Sequence, residues 1–418
     1  MKNIIVAQSG GPTVAINASL VGVLREAVDG GKYDRVFGAL HGISGVLKED
    51  FKELTIKDEN GGFSYDKELA DLIYRSPSSY LGSCRYKMPE AEDDESSYKK
   101  IFEIFDKYEI AAFFYIGGND SMDTVAKLSS YAEKIGSDVR IAGVPKTVDN
   151  DLIITDHTPG FGSAAKFIAT SMVEITHDTA VYEAPCVTIV EIMGRDAGWL
   201  TASSVLARNE YSSLPQLIYL PEVAFSEKSF IEDIKKLLEK TTNIVVAVSE
   251  GIHDSQGVYL AATSKAEDRF GHAQLSGAGK VLEGIVKGEL GIKCRAVELN
   301  LPQRCAAHLA SGSDLKEAAE LGAKAVDFTA EGSTGFMPVI KRLSDKPYAY
   351  EIDKTDVRNV ANQEKKIPLE WINEAGNDVT GEMIDYLKPL IEGETGVTYK
   401  NGIPVYADIS HLTRPQGM

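Results

Sequence analysis

The segment PKTVDND, at residues 145–151, holds the densest group of reactive side chains in this chain. Phosphoryl transfer to an alcohol needs a carboxylate that accepts the hydroxyl proton and a cation that balances charge on the phosphoryl oxygens. The segment contains both: Asp149 is predicted to be the base, and Asp151 orients the acceptor or assists with metal and proton. Lys146 is the cation, and Thr147 offers a hydrogen bond to the substrate. The alternative is a surface turn rich in Asp and Asn.

A second segment, GGNDS at residues 117–121, combines two glycines with three oxygen-bearing side chains. Asn119, Asp120 and Ser121 offer hard oxygen ligands, and Mg²⁺ needs only one or two of these because it keeps several waters. Gly117 and Gly118 precede them at the end of an apolar run. The segment therefore predicts a joint phosphate and magnesium site. The alternative is that Asp120 or Ser121 caps a helix.

A third segment, SGGP at residues 9–12, closes the first apolar run of the chain. Gly10 and Gly11 allow the backbone to approach an anion closely, and the helix that follows presents unpaired N–H groups and a partial positive charge. Paired glycines are needed structurally at such turns about as often. By itself, this segment does not separate the two roles.

An arginine and a glutamate follow two other apolar runs. Met193, Gly194 and Arg195 come after one run, and Glu250 comes after the other. Each residue alone is typical of a protein surface, but a sugar bisphosphate bound to an acidic protein needs several such groups. Further cations that could serve this purpose are Arg85, Arg295 and Arg304.

The elements that must position these residues alternate between strands and helices. Apolar runs predict strands at residues 3–7, 111–116, 140–144, 186–192, 216–220 and 243–248, and helical spacing predicts helices at residues 17–27, 121–131 and 226–239. Continuous apolar strands between helices indicate an α/β fold with a mostly parallel sheet covered on both faces. Ligands bind at the carboxyl ends of such strands, where the polar segments fall.

Length and composition limit the class of protein. The 418 residues predict two domains, and a hydrophobic share of 43% with 25% charged residues is typical of globular proteins. A net charge of −18 disfavours nucleic acid or an anionic membrane as the main partner. No apolar run has membrane-spanning length and no signal peptide is recognisable, so we expect a cytoplasmic protein. The four cysteines lack the spacing of a zinc site or a disulfide framework.

Seven segments, in order, resemble the phosphofructokinase family over about the first 340 positions: SGGP, LGSCR, GGNDS, PKTVDND, EIMGR, SEGI and PQR. The resemblance implies two Rossmann-like three-layer domains with a C-terminal extension, Mg²⁺ as cofactor, and a homodimer or homotetramer. It implies a phosphoryl-donor domain formed by residues 1–160 and about 303–345. A sugar-phosphate domain and the extension then take residues 161–302 and about 346–418.

The resemblance also implies the reaction, which is transfer to the 1-hydroxyl of fructose 6-phosphate, and a role for each matching residue. The catalytic residues are Asp149, Asp151, Thr147 and Arg195. The donor contacts are Gly11, Arg85, Gly118, Asp120, Ser121 and Lys146. The sugar-phosphate contacts are Thr147, Asp149, Met193, Gly194, Arg195, Glu250, Arg295 and Arg304. The metal ligands are Asn119 and Asp120.

Two positions bear on the phosphoryl donor. Family members that use ATP have glycine where this chain has Asp120 and Lys146. A carboxylate near the position of the α-phosphate adds bulk and like-charge repulsion, and a lysine fills space while offering a cation to a smaller donor. We therefore expect pyrophosphate as the donor. The alternatives are an ATP-dependent enzyme of the same fold and a catalytically silent subunit.

Three positions depart from the family pattern. Asn119 stands where a magnesium-binding aspartate is usual, which is the feature that favours a silent subunit. Cys186 replaces a phosphate-binding arginine, and Leu301 replaces a histidine. We therefore expect Lys341 or Arg342 to help bind the 6-phosphate.

Overall fold

The computed structural model describes residues 2–59, 61–261 and 277–413. Its strands, in chain order, are β1 (Asn3–Gln8), β2 (Val36–Ala39), β3 (Phe51–Glu53), β4 (Ile56–Lys57), β5 (Phe63–Ser64), β6 (Ile110–Gly117), β7 (Arg140–Pro145), β8 (Cys186–Ile192), β9 (Leu217–Tyr219), β10 (Asn243–Ser249), β11 (Lys293–Glu298), β12 (Phe336–Asp345), β13 (Tyr348–Asp356), β14 (Tyr399–Lys400) and β15 (Ile403–Pro404).

The α-helices, in the same order, are α1 (Ile16–Asp29), α2 (Ile43–Lys48), α3 (Lys67–Arg75), α4 (Glu95–Lys107), α5 (Asn119–Ile135), α6 (Phe161–Thr179), α7 (Trp199–Ala202), α8 (Glu227–Leu238), α9 (Ala278–Leu290), α10 (Pro302–Cys305), α11 (Gly312–Ala330), α12 (Gly381–Leu387) and α13 (Ser410–Thr413). Every strand and helix that the sequence predicts is present, with ends that differ by a few residues.

The first sheet has the strand order β13-β12-β7-β6-β1-β2-β3. The strands from β12 to β2 run parallel, and antiparallel strands close both edges. Successive residues of β1 enter different cores: Ile5 and Ala7 pack with α4 and α5, whereas Ile4 and Val6 pack with α1, α3 and α11. The sheet is therefore buried on both faces, which explains its continuous apolar strands.

The second sheet is parallel throughout, with the order β11-β8-β10-β9. Val187 and Ile189 of β8 pack with α8 and α9, and Val190 and Ile192 pack with α6 and α7. Each sheet thus forms the middle of three layers. This arrangement confirms the predicted fold class, α/β with two Rossmann-like units.

The C-terminal part of the chain contacts both units. Residues 348–356 form β13, which pairs with β12 and covers an edge of the first sheet, and Ala407 packs in a core of that unit. Met383 and Leu387 pack in the core of the second unit. The expectation that residues from about 346 belong with the second unit is therefore wrong for β13. The turn at Lys346 and Pro347 returns the chain along β12, where pairing satisfies edge backbone groups.

Among the described residues, no helix is both long and apolar enough to cross a bilayer.

Candidate active site

A cleft of about 680 Å³ opens where the carboxyl ends of strands from both sheets meet. The loops that follow β1, β6 and β7 line it from the first sheet, and those that follow β8 and β10 line it from the second. The lining residues are Ser9, Gly10, Gly11, Cys84, Arg85, Tyr86, Gly118, Asn119, Asp120, Ser121, Lys146, Thr147, Val148, Asp149, Asp151, Met193, Arg195, Asp196, Ala197, Glu250, Arg304, Asn362 and Glu364. This is the position at which parallel sheets bind ligands.

The cleft brings together almost all the residues that the sequence singled out. Gly194 contacts it indirectly, because its backbone N–H donates a hydrogen bond of 3.2 Å to Oε1 of Glu250. Arg295 is placed elsewhere: it lies in a separate hollow of about 270 Å³ and forms a 3.0 Å ion pair with Asp178. The structure therefore does not bring Arg295 to the cleft within one chain.

The loop after β7 holds its two aspartates through a buried asparagine between them. Asn150 has the left-handed backbone conformation (φ 56°), which asparagine tolerates better than most residues. Its Oδ1 accepts a 3.1 Å hydrogen bond from the N–H of Thr158, and its Nδ2 donates one of 2.8 Å to the hydroxyl of Tyr386. The N–H of Asp149 donates to Oγ1 of Thr147 at 3.1 Å. The carboxylates therefore project from a fixed loop and not from a loose surface turn.

Burial and like charge change the pKa values of the carboxylates in the cleft. Burial, with the nearby charge of Glu250, raises the pKa of Asp149. Burial and the charge of Asp149 raise the pKa of Asp151 to about 6, and burial raises that of Glu250 to about 6. A carboxylate with a raised pKa is a stronger base than a solvated one while it stays mostly ionised near neutral pH. The cleft therefore contains groups suited to accept a proton from an alcohol.

The side chain of Lys146, which directly follows β7, extends to the loop after β1. Its side chain is 2% exposed, and its Nζ donates a 2.7 Å hydrogen bond to the carbonyl oxygen of Gly11. Gly10 beside it has a φ of 75°, and a Cβ there would lie 3.3 Å from Nζ. Burial lowers the pKa of Lys146 to about 8, so the amine still carries charge near pH 7. Arg304 also reaches this place, since a Cβ on Gly11 would lie 3.4 Å from its Nη1.

The start of α5 presents the second polar segment to the cleft. Gly118 is the N-cap, without a side-chain cap, so the alternative in which Asp120 or Ser121 caps this helix is wrong. Asp120 is exposed, and Ser121 is buried. Nδ2 of Asn119 donates a 3.0 Å hydrogen bond to the carbonyl oxygen of Gln363.

Buried atoms in the cleft lack partners that a bound ligand would supply. Within the described part of the chain, Oδ1 of Asn119, Oδ1 of Asp151 and Nε of Arg195 are buried without a hydrogen-bond partner. Buried polar atoms in native proteins are almost always paired. The two oxygens can accept hydrogen bonds or bind a metal ion, and the N–H can donate to an anionic oxygen. The cleft therefore suits a ligand that brings a metal ion or hydrogen-bond donors together with anionic oxygens.

The structure contradicts the expectation for Lys341 and Arg342. Arg342 donates to Oδ2 of Asp156 at 2.8 and 3.1 Å and lies over the ring of Tyr386, whereas Lys341 forms an ion pair with Asp353 on the β12–β13 hairpin. Both cations therefore lie outside the cleft. Their position on β12 explains this, because the segment after β7 packs against that strand, where the N–H of Asp156 donates a 2.9 Å hydrogen bond to the carbonyl oxygen of Ile340.

Several residues of the site escaped the sequence prediction. Tyr86, Asp196, Asn362 and Glu364 line the cleft, and Gln303 accepts the backbone N–H of Met193 at 3.1 Å. Tyr86 and Asp196 stand directly beside predicted site arginines, which was a usable signal. Asn362 and Glu364 come from an irregular segment far along the chain, and no local pattern marks them.

The chain is similar to known proteins of one family, in sequence and in structure. The family model described as Phosphofructokinase matches residues 3–329. The chain is 39% identical over 413 residues to the pyrophosphate–fructose 6-phosphate 1-phosphotransferase of Xanthomonas campestris pv. campestris (strain B100), which covers 98% of this chain and 96% of the relative. Among solved structures, the pyrophosphate-dependent phosphofructokinase from Nitrosospira multiformis superposes with a TM-score of 0.85 and 36% identity over 97% of this chain and 95% of that one. The pyrophosphate-dependent phosphofructokinase from Marinobacter aquaeolei superposes with a TM-score of 0.86 and is 35% identical, over 98% of this chain and 96% of that one.

Proposed function

This chain belongs to the phosphofructokinase family, and we propose that it transfers a phosphoryl group reversibly from pyrophosphate to the 1-hydroxyl of fructose 6-phosphate. The products are fructose 1,6-bisphosphate and phosphate. The observation that carries the choice of donor is the buried Lys146, whose ammonium lies 2.7 Å from the carbonyl oxygen of Gly11.

The donor side of the cleft suits a short anion. Lys146 fills the space between the loops after β1 and β7, and the exposed carboxylate of Asp120 lies at the start of α5 in the same cleft. A nucleotide would bring its α-phosphate and ribose to this region, where it meets bulk and like charge. Pyrophosphate has no such extension, and the ammonium of Lys146 offers it a favourable charge interaction. Gly11, Arg85, Gly118 and Ser121 complete the set of donor contacts that we propose.

Asp149 acts as the base in this proposal. It accepts the proton of the 1-hydroxyl as the sugar oxygen forms its bond to phosphorus and the bridging P–O bond of pyrophosphate breaks, which releases phosphate. Asp151 is the second carboxylate of the loop and orients fructose 6-phosphate. Thr147 contacts the transferred phosphoryl group. Arg195 and Lys146 balance the negative charge on the phosphoryl oxygens, which is the main contribution a protein makes to this kind of reaction.

The sugar phosphate is proposed to lie against the loops after β8 and β10. The N–H of Gly194 donates to Oε1 of Glu250, which fixes this carboxylate beside Arg195 and Met193. A fixed carboxylate suits recognition of sugar hydroxyls. Arg304 is one of the cations that line the cleft, and we propose that it binds the 6-phosphate. Arg295 keeps that proposed role only if another copy of the chain supplies it.

Asn119 and Asp120 would hold Mg²⁺, because both line the cleft and both present hard oxygens, one of them the unpartnered Oδ1 of Asn119. When bound, the ion would neutralise charge on the donor phosphates. From the family we also propose a cytoplasmic homodimer or homotetramer.

A comparison of donors tests the function. Purified protein receives fructose 6-phosphate and Mg²⁺ with either pyrophosphate or ATP, and formation of fructose 1,6-bisphosphate is followed. We expect turnover with pyrophosphate and little with ATP. A preference for ATP would replace the proposed donor, and failure of both would favour a silent subunit.

A further inference from the structure

The chain from Asn362 to Ile367, which we call the strap, joins the two sides of the active-site cleft. Asn362 and Glu364 line the cleft. Nδ2 of Asn362 donates a 3.1 Å hydrogen bond to Asp123 on α5, which belongs to the donor side. The N–H of Ile367 donates one of 3.1 Å to Glu222, which belongs to the second unit. A segment held at both ends in this way can control the geometry between them.

The strap sets the orientation of one proposed metal ligand. The carbonyl oxygen of Gln363 accepts from Nδ2 of Asn119 at 3.0 Å. A carbonyl can only accept, so the amide nitrogen of Asn119 must face the strap and its oxygen must face away from it. The backbone of the strap therefore decides which atom of Asn119 is available to a ligand.

Lys365 binds the loop that carries the two aspartates. Its backbone N–H donates a 2.7 Å hydrogen bond to the carbonyl oxygen of Asp151. Its ammonium donates to the carbonyl oxygens of Asp156 at 2.7 Å and Thr155 at 3.3 Å, and to Oδ1 of Asn150 at 3.2 Å. An ammonium has three N–H groups, so this loop engages all of them.

Trp199 holds Lys365 from the other side. Its indole N–H donates a 3.0 Å hydrogen bond to the carbonyl oxygen of Lys365, and the ammonium lies 5.2 Å from the centre of its ring. All three acceptors of the Lys365 ammonium are neutral oxygens, so among the described residues no carboxylate pairs with it directly. Its partly buried charge interacts with the carboxylates of Asp156 and Asp151 without a hydrogen bond. Burying an ammonium that has no carboxylate partner costs free energy. The positive charge of Lys365 lies behind the loop from Asn150 to Asp156.

We propose that Lys365 is a positioning residue for phosphoryl transfer, which holds the loop from Asn150 to Asp156 in place and sets a positive charge behind Asp151. It acts through that loop and does not touch the substrate. The inference rests on the proposed function, since the reaction it supports is the one assigned to Asp149 and Asp151.

The test compares Lys365→Met, which keeps the length of the side chain but not its charge, with Lys365→Arg, which keeps the charge. Lys366→Met is the matched control because Lys366 is the exposed neighbour. We expect Lys365→Met to lower kcat about 10- to 100-fold, in the range of residues that orient an active-site group. KM for both substrates should change little, Lys365→Arg should recover part of kcat, and Lys366→Met should match the wild type.

Two further readouts separate positioning from general stability and from the proposed function. Loss of the cation should raise the pKa of Asp151, so the acidic limb of the kcat profile should move to higher pH in Lys365→Met. Amide hydrogen exchange of residues 147–156 should be faster in Lys365→Met and unchanged in Lys366→Met, whatever the donor. Wild-type protein that is inactive with pyrophosphate would defeat the proposed function, while the exchange result would still decide the role of Lys365.

The proposal is overturned if Lys365→Met keeps wild-type kcat and wild-type exchange, or if kcat simply follows the loss of melting temperature across all variants. If Lys365→Met does not fold, Trp199→Phe takes its place, since it removes the donor to the Lys365 carbonyl and keeps the ammonium. It should lower kcat in the same direction by a smaller factor and speed exchange in the same peptide. Wild-type values for both would overturn the proposal.

Discussion

Replacement of Asp149 by asparagine is the sharpest perturbation of the proposed chemistry. The amide has the same shape as the carboxylate, and Asn150, which fixes the loop through Thr158 and Tyr386, is left in place. The loop should therefore keep its fold. What disappears is the group that accepts the proton, together with one of the negative charges in the cleft.

The size of the effect follows from the surroundings of Asp149. A positioned general base contributes about 10²- to 10⁴-fold, or about 3–5 kcal/mol of barrier. Burial and the charge of Glu250 raise the pKa of Asp149, which makes it a stronger base, so we expect kcat to fall toward the upper end of that range. KM should change less than kcat because the shape is conserved. Loss of the neighbouring charge should also lower the pKa of Asp151.

The assay is formation of fructose 1,6-bisphosphate from fructose 6-phosphate and pyrophosphate, measured over pH. In the wild type, activity should fall as pH drops through about 6, the pKa of Asp151, because this carboxylate must be ionised to act. Asp196→Asn is the matched control, since Asp196 is a carboxylate in the same cleft with no assigned role in proton transfer. A kcat for Asp149→Asn within tenfold of that control would refute the assignment of the base.

Two other predictions concern the sugar side of the cleft and the stability of the fold. Glu250→Gln should raise KM for fructose 6-phosphate more than it lowers kcat, because the amide loses the charge that orients sugar hydroxyls; equal KM values in steady-state kinetics would contradict this. His157 is buried, and although burial opposes it, the charges of Glu317 and Asp156 raise its pKa to about 9. A raised pKa means that its contribution to stability is complete below about pH 6.5 and is lost as pH rises through about 9. The melting temperature should therefore fall over this range in the wild type and less in His157→Gln, and parallel curves would contradict the ion-pair account.

The sequence predicts the regular part of this structure well. Apolar runs such as those of β1 and β6 are buried on both faces of a parallel sheet, and the position of ligands in such folds follows from strand direction. The polar segments that follow these strands, with Lys146 and Asp149 among them, consequently meet in one cleft. Periodicity and loop chemistry carry this information locally.

Features that depend on distant contacts could not be predicted in this way. Arg295 and Arg304 are close in sequence, but Arg295 lies inside β11, about 10 Å before the carboxyl end of the strand, whereas Arg304 follows that end. Only the second can face the cleft of its own chain. Lys365 belongs to an irregular segment whose role depends on a loop more than 200 residues earlier, and no spacing rule connects the two.

If Asp120 and Lys146 select the donor, the ratio of kcat/KM for pyrophosphate to kcat/KM for ATP must depend on these two side chains. The ratio is measured for the wild type and for the double variant Asp120→Gly with Lys146→Gly, after melting curves show that both are folded. We expect the ratio to fall by about 100-fold or more in the double variant, because kcat/KM rises with ATP and falls with pyrophosphate. An unchanged ratio, or a fall without any gain in ATP turnover, would contradict selection by exclusion at these two positions.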